Sequence, residues 1–334
     1  MTKPELSRGE RVLPGLFRLR LPLPWPGVPH CNAWAIRAGD GIVLVDTGMH
    51  QDGSLEQLEY AMTQVGLQLE QVRQIVITHA HSDHFGQAAT VKRRSGAALW
   101  MHPDIGHARA EYGDRTLARA HRFEIGRQSG VPEAALRTFL ERYGDLPSGI
   151  AGLVQADHAL VDGARIDTDL GPLYVYETPG HAPSHVSLYA PEHRLLIAGD
   201  HLLGRVSLYF DYGYTPDPVA EFLSGLDTVA ALDARLCVSG HGRPFSDVSA
   251  HIQANRELVA QRLAAARSGL ADIPLTPLEL VPAIFGEPLT PVTAAWRLPE
   301  TLSYLTHLER LGQVGRVPGG DGAAERWTAN ETQP

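Results

Sequence analysis

The chain of 334 residues has only two cysteines, Cys31 and Cys237, far apart and without a C-x-x-C spacing. That excludes a disulfide-stapled scaffold and a thiolate metal cage. Cys237 lies in the apolar run ARLCVSG, as a small buried side chain would. One disulfide between the pair is the alternative to a reduced protein. No stretch reaches the roughly 18 uninterrupted apolar residues of a membrane span. The opening MTKPELSRGERVLPGLFRLRL lacks the basic end and apolar stretch of a secretory signal, so a cytoplasmic protein is expected. Positive charge is also short: 29 Lys and Arg against 38 Asp and Glu give a formal charge of −9. Nucleic acid and anionic membranes both require a basic surface, so neither is an expected partner.

What remains is ordinary for a globular protein, with 43% hydrophobic and 20% charged residues. WAIRAGDGIVLVDTG reads as a hairpin around Gly39-Asp40-Gly41. GSLEQLEYAMTQVGL reads as a helix with Leu55, Leu58, Met62 and Val65 at helical spacing. QIVIT is a strand, HFGQAATVKRRSG a helix and AALWMHP a strand, and this alternation predicts a layered α/β fold. Residues 104 to 150 are charged and free of strand signals, which predicts a helical insertion. Strands return in GPLYVYETPG, HVSLYAPE, RLLIAGD and ARLCVSG. Beyond residue 250 three helical patterns precede a Gly-rich hairpin, the outline of a winged-helix module. Two domains are expected, 1–250 and 251–334.

The chemistry concentrates in IVITHAHSDHFG, residues 75–86. His79 and His81, two apart on an extended segment, project to one side, and Asp83 and His84 follow as the chain turns. Each pair supplies half a coordination sphere, and neutral imidazole with carboxylate suits Zn²⁺, with Mn²⁺ or Fe²⁺ as alternatives. Further candidates stand where apolar strands stop: His181 after YVYETPG, Asp200 after RLLIAG, His241 after RLCVSG and Asp46 after GIVLV. A lone residue of this kind is usually a cap or surface group. The run together with three later partners in matching settings points to a metal site.

These residues resemble those of the metallo-β-lactamase fold hydrolases over about residues 10 to 250. The resemblance implies an αββα sandwich with a two-ion site at one edge. It places His79, His81 and His181 on one ion, Asp83, His84 and His241 on the other, and Asp200 between them. Asp46 matches an aspartate that orients ligands. The terminal helices resemble the subgroup with a winged-helix-like C-terminal domain, which includes endoribonuclease-like proteins and thioesterases. The expected reaction is hydrolysis by a hydroxide bridging two Zn²⁺ ions, with Asp83 and Asp200 as the catalytic carboxylates.

An aspartate at position 200 counts against β-lactams. Balanced charge in TAAWRLPETLSYLTHLERLG, with Arg297 and Arg310 against Glu300 and Glu309, counts against a phosphate-tracking helix. The terminal module is then expected to serve packing or homodimerisation. An ester or thioester of a small acyl substrate is the leading expectation, since a thiolate leaves without a strong acid. The alternatives are a ribonuclease or phosphodiesterase, a lactonase, and a non-enzymatic winged-helix binding protein with a structural metal. Tyr209 and Tyr212, in the loop after Asp200, are candidates for holding substrate. Phe123, Phe139, Leu140 and Tyr143 of the insertion are candidates for a lid, or else form the insertion's own core. His185 is expected to support the site rather than bind metal.

Overall fold

The computed structural model describes residues 7–25, 27–143, 147–290, 293–317 and 323–330. The first sheet contains, in order, β1 (Arg8–Leu13), β2 (Leu16–Trp25), β3 (Val28–Ala38), β4 (Gly41–Val45), β5 (Val72–Val76), β6 (Ala98–Met101) and β7 (His158–Ala159). Strands β1 to β4 pair antiparallel; β4 to β7 are parallel. Helices α1 (Ser54–Thr63), α2 (Ser82–Phe85) and α3 (Ala88–Ser95) connect the parallel strands. The second sheet has the order β12-β11-β10-β9-β8, from β8 (Arg165–Thr168), β9 (Gly171–Glu177), β10 (Val186–Ala190), β11 (Leu195–Ile197) and β12 (Leu236–Val238).

Alternation along the strands assigns each residue to a layer. In β4, Ile42 and Leu44 join Leu58, Met62 and Val91 in a core beneath the helices, whereas Val43 and Val45 face the other sheet. There they meet Leu173, Val175, Leu188 and Ile197. On the far side of the second sheet, Leu196 and Cys237 pack with Phe222 and Leu226 of α7 (Pro218–Ala230). The result is four layers, helix–sheet–sheet–helix, as expected from the sequence. Both cysteines are free and buried, which pushes their thiols up from the ordinary range.

The insertion is helical, with α4 (Gly106–Gly113), α5 (Arg115–Gln128) and α6 (Glu133–Tyr143). Residues 144–146 of the expected insertion lie outside the described residues. The chain continues with α8 (Val248–Gly269), α9 (Pro277–Phe285), α10 (Ala294–Arg310) and an antiparallel pair, β13 (Val314–Val317) and β14 (Arg326–Ala329). The tip of the Gly-rich turn, 318–322, is outside the described residues. Leu280, Tyr304, Leu308 and Trp327 share one core with Phe222 and Leu226, so the terminal helices complete the outer layer over α7. Among the described residues no helix is long and apolar enough to cross a membrane.

One sequence expectation needs revision. The helix read from Phe85 onward starts earlier, at Ser82, and breaks into α2 and α3 at Gly86-Gln87. A side chain at Gly86 would stand 2.4 Å from the Gly149 carbonyl oxygen, and the Gln87 amide is fixed by the Thr47 carbonyl and Ser54 hydroxyl. The break follows tertiary contacts that helical periodicity does not carry. It places Asp83 and His84 within a short helical turn.

Candidate metal centre

The candidate residues lie where strands of both sheets end along one edge. Asp46 follows β4, His79 to His84 follow β5, His181 follows β9, Asp200 follows β11 and His241 follows β12. Close approach requires glycine at one point above all. A Cβ on Gly240 would sit 2.1 Å from Asp200 Oδ1 and 2.5 Å from His84 Cε1.

Three groups of side chains converge: His79 with His81 and His181; Asp83 with His84 and His241; and His79 with His84 and Asp200, the donor atoms of each group lying within 4.8 Å of one another. In the first, His181 Nε2 faces His81 Nδ1 at 3.1 Å. In the second, Asp83 Oδ2 is 3.4 Å from His84 Nε2 and 3.2 Å from His241 Nε2. Asp200 Oδ2 looks toward both, at 3.2 Å from His241, 3.5 Å from His84 and 3.8 Å from His181.

Each imidazole is oriented from behind. His84 Nδ1–H donates to Asp46 Oδ2 at 2.9 Å, and the Asp46 carboxylate also accepts from the Thr78 amide and hydroxyl. The Thr78 hydroxyl, its proton so committed, accepts from His79 Nδ1–H at 3.0 Å. His181 Nδ1–H donates to the Tyr209 carbonyl, and His241 Nδ1–H to the His30 carbonyl. His81 is reversed: Nε2–H donates to Asp211 Oδ2 at 2.9 Å, so Nδ1 faces inward. In all five rings the outer partner accepts one ring N–H and turns the other nitrogen toward the shared space, the usual preparation of a histidine metal ligand.

Electrostatics divide the cluster. Burial, then His84, His81 and His181, keeps His79 well below the ordinary imidazole range; burial, then His81, lowers His181 to about 4. For His84 burial is overcome by Asp83, Asp200 and Asp46, which hold it well above that range. Burial is likewise overcome at His241, raised to about 10 by Asp200 and Asp83. Burial opposes ionisation of Asp83 and Asp200, yet His84 and His241 keep both far below the usual carboxylate range. Two buried carboxylates thus call for positive charge at this point. Protons supply it in the metal-free chain, and a bound cation would displace them.

The donor set fits a metal. Nε2 of His79 and of His84 and Oδ1 of Asp200 are buried with no hydrogen-bond partner among the described residues. Orphaned polar atoms that converge are costly unless something binds them. Imidazole and carboxylate are the ligands of Zn²⁺ and similar divalent ions.

The other sequence candidates separate. His185 supports the site as expected: its Nε2 accepts from the Asp200 amide at 3.0 Å, and its Nδ1 meets the Thr178 hydroxyl. The Tyr209 ring lies 5.9 Å from His81 and 5.5 Å from His181, at the first group. Tyr212 does not; it turns to the terminal module, beside Arg316 and Thr306. Three positions along an irregular loop separate a tyrosine beside the site from one turned away from it.

Among the described residues the insertion reaches the site through Tyr112 and His107. The Ser82 amide donates to the Tyr112 hydroxyl at 3.1 Å, His107 Nε2 lies 3.3 Å from Ser184 Oγ, and the Ala80 amide donates to that oxygen. Phe123 stacks under Arg137, linking α5 to α6 within the insertion. The Tyr143 side chain is outside the described residues. Asp211, which orients His81, escaped the sequence reading. Its only signal is an acidic residue inside the aromatic loop LYFDYGY.

The model of the metallo-beta-lactamase superfamily matches residues 26–241, and the chain belongs to that superfamily. Family and site together make it a metal-dependent hydrolase. It is 24% identical to "Probable metallo-hydrolase YqjP" of Bacillus subtilis (strain 168), covering 94% of this chain and 96% of that one. The metallo-beta-lactamase family protein TTHA1429 of Thermus thermophilus superposes with a TM-score of 0.79 at 29% identity, over 96% of this chain and 100% of the other. A beta-lactamase domain protein from Burkholderia ambifaria superposes with a TM-score of 0.80 at 25% identity, over 98% and 96%.

Proposed function

We propose that the chain hydrolyses an ester or thioester of a small acyl substrate with two divalent cations, zinc first among them. The observation that carries this reading is Asp200 Oδ2, within 3.8 Å of imidazoles from both groups. In this reading His79, His81 and His181 hold one ion, Asp83, His84 and His241 the other, and Asp200 is shared. Such a pair supplies Lewis acidity and water activated at neutral pH. The chain's own part is positional. Asp46 and Asp211 fix the tautomers of His84 and His81; Asp83 keeps an oxygen toward the space between the groups, where it can take a hydrogen bond from attacking water. In this reading Tyr209, whose ring stands beside His81 and His181 and whose hydroxyl hydrogen-bonds with Asp211, borders the substrate at the first group.

Charge favours an acyl substrate over RNA. Arg297 is paired with Glu300 and Glu287, Arg310 with Asp217, and Arg316 with Glu309 and Glu325, so these three cations of the terminal module are each engaged by carboxylates. Three helices and a hairpin follow the order of a winged helix, which we read as packing or dimerisation structure.

A panel of acyl thioesters, aryl esters and lactones, assayed with and without chelator, tests the proposal. Chelator-sensitive thioester or ester turnover that disappears in Asp83→Asn is expected. Turnover of lactones alone, or cleavage of single-stranded RNA alone, would transfer the site to those substrates. Tight DNA binding without any turnover would favour the binding-protein reading.

A further inference from the structure

His241 belongs by sequence to the second sheet, but the first sheet holds it. The Asn32 amide donates to the Gly240 carbonyl at 2.7 Å, Asn32 Nδ2 to the Ser239 and Gly242 carbonyls at 2.8 and 3.1 Å, and Trp34 Nε1 to the Ser239 carbonyl at 3.2 Å. Behind this row lies Arg18 of β2, 3% exposed. Its Nε donates to Asn32 Oδ1 at 2.8 Å, one terminal nitrogen donates to Glu10 at 2.8 Å, and the other donates to the Gly242 carbonyl and faces His30 Nε2 at 3.2 Å. The carbonyl of that same His30 accepts the His241 Nδ1–H. One planar fork therefore grips the residue after His241 and the residue that orients the His241 ring. A lysine ammonium lacks that geometry.

We infer that Arg18 is a positioning residue for His241, fixing the loop 239–242 and its imidazole so that the second group of ligands keeps its shape; this rests on the two-ion reading above. A buried guanidinium is an expensive way to hold a loop unless its acceptors are all in place, and here they are. Charge and position predict opposite results. By charge alone, removing a buried cation near a cation site strengthens metal binding; by position, removing the fork weakens it.

The test compares the full-length chain with Arg18→Gln and Arg18→Lys. Hydrogen–deuterium exchange over residues 239–242 in metal-free protein reads the clamp itself, and calorimetric titration with Zn²⁺ reads the two equivalents. The inference expects faster exchange at 239–242 in both variants. It also expects the second equivalent to weaken by about tenfold to a hundredfold while the first is unchanged, the size of effect seen when a ligand's outer partner is lost. Arg18→Lys should fall between wild type and Arg18→Gln, and it carries the comparison if Arg18→Gln does not fold. Unchanged exchange, a tighter second equivalent, or equal weakening of both with a lower melting temperature would each overturn the inference. If the wild type itself takes up fewer than two ions, the two-ion reading fails, and exchange at 239–242 still upholds or overturns the clamp.

Discussion

The two halves of the centre differ in electrical balance, with His81, raised against its burial by Asp211, the exception in the first. His79, His81 and His181 form an imidazole-only group, with His79 and His181 held below the ordinary range by burial and then by neighbouring imidazoles, His84 first for His79 and His81 for His181. Asp83, His84 and His241 form a group in which carboxylates dominate and both imidazoles are driven toward the charged form. Their supports differ as well. In the first half His181 and His81 lean on the Tyr209 carbonyl and Asp211, from the irregular loop after β11, and His79 on the Thr78 hydroxyl; the second leans on Asp46 and His30, embedded at the strands of the first sheet. A ligand set is therefore defined by what stands behind it as much as by the residues that face inward. Two ligands of the first half, His81 and His181, should depend on a loop, and the second half on the sheet.

The largest effect on this contrast is expected from Asp200→Ala, because Asp200 alone faces both halves. Metal titration should show both equivalents weakened by more than the roughly 100-fold that losing an outer partner costs, with hydrolysis lost alongside. Asp46→Ala and Asp211→Ala should separate the halves. Each should weaken chiefly one equivalent by about 10- to 100-fold, Asp211→Ala the first and Asp46→Ala the second, since Asp46 reaches His79 only through the Thr78 hydroxyl. If both variants weaken chiefly the same equivalent, the division is wrong.

Gly240→Ala should disturb the shared Asp200 together with the second half. The new methyl must push aside Asp200 Oδ1 and His84, an overpacking worth about 1–3 kcal/mol in a thermal or denaturant melt.

The metal-free protein should also show a two-sided pH dependence of stability. Burial, then His81, lowers His181 to about 4, below its unfolded value near 6.5, so the unfolded chain binds more protons between them and stability falls as pH drops through that window. Against burial, Asp200 and Asp83 raise His241 to about 10, so the folded chain binds more protons and stability falls as pH rises from about 6.5 toward 10. Melts across pH should show both limbs. His241→Gln should flatten the alkaline limb and His181→Gln the acidic one.

Much of this was legible in the chain because strand-end ligands are local signals. An apolar run, a glycine and then His or Asp announce both the strand and the side chain it presents, as at Asp200 and His241. Residues in loops gave no such signal. Asp211 and Tyr212 are adjacent in LYFDYGY, yet one supports His81 and the other faces the terminal module, and only tertiary packing distinguishes them. The α2–α3 break is hidden for the same reason, since it depends on Gly149 and Thr47, distant in sequence. Arg18 is the extreme case. From sequence it is one of two arginines in the strand LFRLRL, and the Gly242 carbonyl it holds lies 224 residues away.

The most direct test of the two-group centre is metal content by mass spectrometry on protein purified without added metal. Two equivalents per chain are predicted, falling to one in Asp46→Ala. A wild-type chain holding one equivalent or less, even after incubation with Zn²⁺, would contradict it.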